Sequence, residues 1–355
     1  MTARRAVAGV AGLLLVPALA ACATGATNRP SDVVARIAAE SRPASPAPAA
    51  AQQATECKEP LPDVASYAPL LSLPTRFDAG SLMATIVQRG YLLVGVSGDT
   101  RQLGARDKLT EAAPSGLDIE VAKAVGRALL GSDASDKVRF KVITAGDRFS
   151  QANKGAGADG AAGGVDLVAR VVSITCDRWT NPDLSVGSAF SVAYLKADQR
   201  VLVRKGIDSL DTLIKDRRKQ TGDAAATARV CAPKGSTSLA KILKTDGVTA
   251  VPVAIHSDCL ALWQQGEVDA ITGDDVILAG FLAQDRTAYM LPGKLDTTYA
   301  GLAVARAHPE FVRYLNTVMA TPQFRSAWTA AYQRYLQPAL GEQTLPAPDY
   351  SRPLP

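Results

Sequence analysis

The chain has 355 residues, with 39 Lys+Arg against 34 Asp+Glu, two histidines and five cysteines. At ~150 residues per domain that length fits about two domains. The net charge of +5 sits in no basic run, which disfavours nucleic acid as the main partner. Two histidines exclude a histidine-rich metal centre, and 5% aromatic residues are too few for a base-stacking platform.

Met1 to Cys22 reads as an export signal, with Arg4 and Arg5 followed by the uncharged stretch Ala6 to Ala21. That stretch is interrupted by Pro17 and is shorter than the ~20 residues a spanning helix needs. Leu19-Ala20-Ala21-Cys22 resembles the lipobox of bacterial lipoproteins, which implies lipidation of Cys22 and anchoring at the extracytoplasmic face of the cell membrane. Without Cys22, an even set remains: Cys57, Cys176, Cys231 and Cys259. In an oxidising compartment these are read as two structural disulfides. Residues 22–75 are rich in Ala and Pro and read as a tether, its last part pinned to the folded body near Cys57.

From about Arg76 strands and helices alternate. Tyr91 to Val96 is a continuous apolar run, as in a strand buried on both faces. Ser115-Gly-Leu-Asp118 looks like a capped helix start, with Leu117, Val121, Val125 and Leu129 as one face and Gly131 as the stop. Val138–Ile143 and Val165–Val172 follow as strands, and the β-α-β-α-β order implies a parallel, doubly wound sheet. A second series has strands at Arg200–Val203, Arg229–Ala232, Thr249–Val253 and Asp269–Thr272, with helices at Ser236–Leu243 and Asp258–Gln265. Tyr299–Ala305 reads as a strand, Pro309 to Tyr335 as helices broken at Pro322, and residues 341–355 as a proline-rich tail. The expectation is α/β: lobe 1 from 76–195 plus 297–340, lobe 2 from 196–296, with a cleft between them.

Two motifs are decoys. Gly155-Ala-Gly-Ala-Asp-Gly160 matches the dinucleotide fingerprint, but a helical stretch precedes it and a strand follows, the reverse of what pyrophosphate binding needs. It reads as a flexible glycine-rich insertion. Ser238-Leu-Ala-Lys241 matches S-x-x-K, but no K-T-G triad follows.

Three segments agree on one chemistry. Arg178 lies just after the third strand, where the carboxyl ends of a parallel sheet open on the ligand crevice, and its planar fork suits a carboxylate. Lys234 to Ser238 joins a strand to a helix and offers hydroxyls and N–H groups to an anion. Asp274 ends a strand and can take an ammonium. Taken singly each has a bland structural reading: a surface ion pair for Arg178, a helix cap for Ser236, a turn residue for Asp274. Together they match the two ends of an amino acid.

Gly116-Leu-Asp118, Val165 to Arg178, Gly235-Ser-Thr-Ser238 and Val268 to Asp274 resemble the bacterial extracellular solute-binding proteins of family 3, most closely the glutamine- and glutamate-binding lipoproteins of actinobacteria. The resemblance covers roughly Ser81 to Tyr335. It implies a type II periplasmic-binding-protein-like fold whose hinge strands cross near Val192–Gln199 and Asp296–Ala300. It also implies an amino-acid receptor for ABC-type uptake or sensing, with a membrane permease or signalling protein as partner. No cofactor or metal is implied, and a monomer is expected.

Matched residue by residue, Arg178 clamps the α-carboxylate, Ser173 supplies a hydroxyl, Ser236 and Thr237 form the second-lobe turn, and Asp274 takes the α-ammonium. Arg148 matches an arginine that faces a side-chain carboxylate in acidic-amino-acid binders, and His256 falls where some of these carry a histidine. Cys231 and Cys259 match a second-lobe cysteine pair, which leaves Cys57 and Cys176. The loop Ser97 to Arg101 lacks the family's acidic and aromatic residues, with Asp99 and Arg101 as candidates to compensate. Arg170 and Val171 replace small residues, so that an arginine narrows the pocket. An enzyme reusing the fold, dehydratase- or transglycosylase-like, and a partner protein that binds no small ligand are the alternative readings.

Overall fold

The structure is a computed structural model and describes residues 63–106, 113–131 and 134–355. The export signal, Cys22, Cys57 and most of the tether therefore lie outside the described residues. No helix among the described residues is long and apolar enough to cross a membrane.

After helix α1 (Leu82–Arg89), strand β1 (Leu92–Val96) pairs in parallel with β4 (Val138–Val142) and β5 (Leu167–Ser173). All seven residues of β5 are buried, Arg170 and Ser173 included, so its apolar residues Leu167–Ala169 and Val171–Val172 flank a buried guanidinium. A short hairpin, β2 (Asp99–Thr100) and β3 (Gly104–Ala105), separates β1 from helix α2 (Leu117–Leu130). The helix starts one residue later than a Ser115 cap would place it. Gly116 is the N-cap at φ 130°, and a Cβ there would lie 2.3 Å from the Leu103 carbonyl oxygen. Ser115 instead bridges to Ala105.

Helices α3 (Arg148–Lys154) and α4 (Cys176–Thr180) flank β5, and β6 (Ala189–Phe190) follows. Then β7 (Leu195–Arg204) enters the second half. That half holds α5 (Leu210–Thr221), β8 (Ala228–Pro233), α6 (Thr237–Ile242), β9 (Val248–Val253), α7 (His256–Gln264), β10 (Ala270–Asp274), α8 (Asp275–Leu282) and β11 (Ala288–Met290). Strand β12 (Asp296–Val304) returns to the first half, which closes with α9 (Pro309–Ala320), α10 (Pro322–Tyr335) and α11 (Gln337–Leu340).

The sheet is continuous, in the order β4-β1-β5-β12-β7-β10-β8-β9. Each half has a parallel triplet, β4-β1-β5 and β10-β8-β9. The doubly wound expectation thus holds within each half but not at the centre, where β12 runs antiparallel to both β5 and β7. The two stretches expected as crossings pair with each other, from Asp296 opposite Gln199 to Ala300 opposite Leu195. One apolar core gathers β1, β5, α2, α9 and α10; a second gathers Val201, Val203, Val230, Ala270 and Leu291. We call the halves around these two cores lobe 1 and lobe 2; β7 and β12 lie between them.

Cys231 and Cys259 form a disulfide that ties β8 to α7. Cys176 is also disulfide-bonded, and its expected partner Cys57 lies outside the described residues.

Two stretches expected to be loose are docked. In the glycine-rich loop, the Gly157 carbonyl accepts from Arg89 at 2.7 Å, and a Cβ at Gly160 would overlap the Tyr91 hydroxyl. At the C-terminus, the Asp349 carbonyl accepts from Ser66 N–H, Arg352 N–H donates to the Ser66 carbonyl, and Leu345 and Tyr350 pack on the core. Arg352 Nε donates to the Ala65 carbonyl at 3.1 Å, and its guanidinium lies over the Trp179 ring. Residues 341–355 are therefore a strap rather than a free tail.

Candidate functional site

The carboxyl ends of β5 and β10 face each other across the lobes, and the residues singled out by sequence gather there. After β5, Thr175 caps α4 by accepting from Arg178 N–H at 3.2 Å. The short turn bends Arg178 back, so that Nη1 donates to the Ser173 carbonyl at 2.6 Å and Nη2 to the lobe 2 carbonyl of Gly235 at 3.1 Å. Arg148, opening α3, reaches the same oxygen at 2.8 Å while its Nε holds the Ala145 carbonyl. Two lobe 1 guanidiniums thus converge on one lobe 2 carbonyl. Gly235 sits at φ 72°, and a Cβ there would come within 3.0 Å of Gly146 Cα, so a side chain would push the lobes apart.

Other contacts join the lobes. The hydroxyls of Ser173 and Thr237 are 3.3 Å apart, and Gln199 Nε2 donates to Thr237 at 2.6 Å. Asp99, in the loop after β1, accepts from Ser97 Oγ at 2.7 Å and from Ser257 N–H of lobe 2 at 2.9 Å. Asp274 stands at the N-cap position of α8 without a side-chain bond to the helix, and accepts from Thr298 on β12 at 3.1 Å. The neighbouring Asp275 accepts from Asp198 N–H on β7 at 3.2 Å.

Burial sets the electrostatics. Arg148, Arg170, Arg178, His256 and Asp274 are 4, 5, 7, 3 and 5% exposed. The hydrogen bonds of the three guanidiniums go to backbone carbonyls. Among the described residues no carboxylate is ion-paired with any of them. Desolvation lowers all three, Arg178 to about 10, with Asp274 pulling the other way. Burial, and with it the charge of Asp275, pushes Asp274 up to about 6 against the Thr298 hydrogen bond and the attraction of Arg148 and Arg178. His256 is driven down to about 3 by burial and then by Arg170, so its imidazole is neutral. Such a concentration of buried, under-neutralised groups suits a charged small ligand.

Two expected residues stand apart. Arg101 is exposed at the turn of the β2–β3 hairpin, where its backbone and Cβ lie against Gly280 of α8. The Ser236 hydroxyl is spent locally, accepting from Leu239 N–H and donating to the Pro233 carbonyl, as a cap does. In the decoy S-x-x-K pair, Ser238 is buried and Lys241 faces Asp296 on the surface.

Sequence reasoning missed Asp118 and Tyr194. Asp118 is fully buried and accepts the Tyr194 hydroxyl at 2.6 Å, while Val171 N–H donates to the same hydroxyl oxygen. Burial raises Asp118 to about 6. The missed signal was its phase on α2, on the buried side with Val121, Ala122 and Val125. Val171 has φ 42°, a left-handed backbone rare for a β-branched residue.

A cavity of about 640 Å³ opens between the lobes beside the cluster, lined by Asp99, Lys141, Ile143, Asp147 and Ser257. A larger one, about 900 Å³, lies under the C-terminal strap and contains none of the site residues.

No protein-family model matches the chain. It is 26% identical over 258 residues, 72% of this chain and 84% of the relative, to the ABC transporter glutamine-binding protein GlnH of Bacillus subtilis. It is 25% identical to the glutamate-binding protein GluB of Corynebacterium efficiens, over 75% of this chain and 84% of the relative. Among solved structures, the solute receptor for L-cysteine of Neisseria gonorrhoeae aligns with a TM-score of 0.60 at 22% identity, covering 74% of this chain and 97% of that one. The homologues are thus glutamine- and glutamate-binding proteins, and the fold is that of bacterial amino-acid receptors of type II architecture, as the resemblance implies.

Proposed function

We propose that this chain is a lipid-anchored, extracytoplasmic receptor that closes over a polar or acidic amino acid such as glutamate, aspartate, glutamine or asparagine. A membrane permease of the ABC type, or a signalling protein in its place, reads the closed form. The reading rests on one observation above others: buried Arg178 and Arg148 of lobe 1 meet at a lobe 2 carbonyl, with buried Asp274 in their field. An amino acid supplies what both ends lack, a carboxylate for Arg178 and an ammonium for Asp274. Homologues that bind glutamine and glutamate support the same class.

Admission of ligand requires the contacts of Gly235, Thr237 and Ser257 with lobe 1 to part. The paired strands β7 and β12 provide the hinge. On closing, Arg178 exchanges the Gly235 carbonyl for the α-carboxylate, a stronger charge-assisted acceptor.

The test is a thermal-shift and calorimetric screen of the purified protein against the four amino acids. Ligand at about 100 times its Kd stabilises by roughly 2.7 kcal/mol. Arg178→Met is expected to abolish binding with the fold intact. Four silent amino acids, or wild-type affinity in Arg178→Met, would overturn the reading.

A further inference from the structure

The amino-acid clamp leaves a second group of polar atoms unused. Arg170 projects from β5 at the carboxyl edge of the lobe 1 sheet. Its Nε donates to the Ile143 carbonyl at 3.1 Å, and its Nη2 is buried without a hydrogen-bond partner. His256 of lobe 2 has both ring nitrogens buried and unpartnered, with Nε2 turned toward Gly273, the residue before Asp274. Arg170 and Arg148 hold carbonyls two residues apart on one loop, Ile143 and Ala145, and Ile143 lines the interlobe cavity together with Ser257, the neighbour of His256. The acidic residue nearby, Asp99, already accepts from Ser97 and Ser257 and has Arg170 as a counter-charge. Buried donors without acceptors are costly, and a buried guanidinium more so.

We infer that Arg170 is a specificity-determining residue of the receptor: with Arg148 and His256 it holds a second anionic group on the ligand, so that the ligand is an acidic amino acid rather than its amide. The carboxylate of the ligand side chain accepts from the free Nη2 of Arg170 and from His256, in whichever tautomer presents N–H. An amide offers one acceptor and brings an NH2 toward two guanidiniums, and a distal ammonium meets two positive charges. The inference rests on the receptor reading and adds which side chain is selected.

The experiment is titration calorimetry with L-glutamate, L-glutamine and L-lysine on the wild type, Arg170→Met, Arg170→Lys and Arg178→Met. The wild type is expected to bind L-glutamate at least about tenfold more tightly than L-glutamine and not to bind L-lysine. Arg170→Met is expected to weaken L-glutamate by at least about thirtyfold while leaving L-glutamine within about threefold. Arg178→Met loses all ligands.

A wild type that prefers L-glutamine overturns the inference while leaving the receptor standing; a wild type that binds neither overturns both. An unchanged glutamate-to-glutamine ratio in Arg170→Met, whether both affinities stay or both fall, shows that Arg170 only fills space. Should the Met variant fail to fold, Arg170→Lys keeps the charge without the fork. It is expected to lower the ratio at least about threefold, and an unchanged ratio there also overturns the inference.

Discussion

Asp274 offers a direct test through the proton it must give up. Its carboxyl is raised to about 6 by burial, so in the free protein near neutrality it is ionised at a cost. Relative to an exposed aspartate at 3.8, that cost is roughly 3 kcal/mol at about 1.4 kcal/mol per pH unit. Because the folded value is raised, this carboxyl favours the folded state at low pH, and the advantage is lost between about pH 4 and 6. An ammonium bound against it reverses the preference, and ligand binding below neutrality must then release a proton. With a free value of about 6 and a bound value well below 5, release is close to zero at pH 7.5, about 0.5 proton at pH 6 and about 0.9 at pH 5. Affinity falls about tenfold between pH 7.5 and 5. Neutral His256, at about 3, adds nothing over this range, and a glutamate side chain near 4.3 stays largely ionised at pH 5. The assay is calorimetry in buffers of different ionisation enthalpy, on the wild type and Asp274→Asn. The variant should lose about 2–5 kcal/mol of binding and all of the proton release below neutrality. Proton release near zero at pH 6 in the wild type, or full affinity in the variant, would refute the placing of the ammonium.

Two further expectations concern stability. Reducing the Cys231–Cys259 bond, which closes a separation of 28 residues, should cost roughly 3–4 kcal/mol on the chain-entropy account; an unchanged melting temperature in the double Cys→Ala variant would contradict it. Arg352→Ala removes a buried hydrogen bond to Ala65 and the stacking on Trp179, and should destabilise by about 1–3 kcal/mol. A melting curve identical to wild type would mean that the strap contributes nothing to the fold.

The strand and helix series could be read from the chain because its periodicities are strong: β1 is an unbroken apolar run, β5 is apolar except for Arg170 and its last residue Ser173, and α2 carries a clear buried stripe. The antiparallel join at β7 and β12 could not, since a strand's direction relative to its neighbour leaves no mark on its own residues. Helix α5 was missed because its exposed, charged sequence LDTLIKDRRKQT buries only Leu213 and Ile214. In the site, Arg178 and Asp274 are visible as charges just after and at strand ends, whereas Arg148, which opens α3, comes only through the family resemblance. The receiving carbonyl of Gly235 was invisible because backbone atoms carry no sequence signature. The resemblance implies a ligand role for Ser236, yet its hydroxyl makes the bonds of the helix cap that is its bland reading. Asp118 was assigned to a helix cap, where tertiary burial with Tyr194 wins instead.

The paired termini bear on how the molecule is held. Residues 63 to 67 and 349 to 352 grip each other, and their bonds end on lobe 1: Asp63 accepts from Cys176 N–H, Ser66 Oγ donates to the Phe190 carbonyl, and Asn316 bonds Ser66 and Tyr67. The Tyr67 ring also meets Trp179 edge-on, next door to Arg178. A pull entering the described chain at residue 63 arrives in lobe 1, at the turn of helix that carries the arginine. On the proposed receptor reading, lobe 1 is then the fixed jaw and lobe 2 the one that swings, so a mooring line on this side leaves the bite free to open.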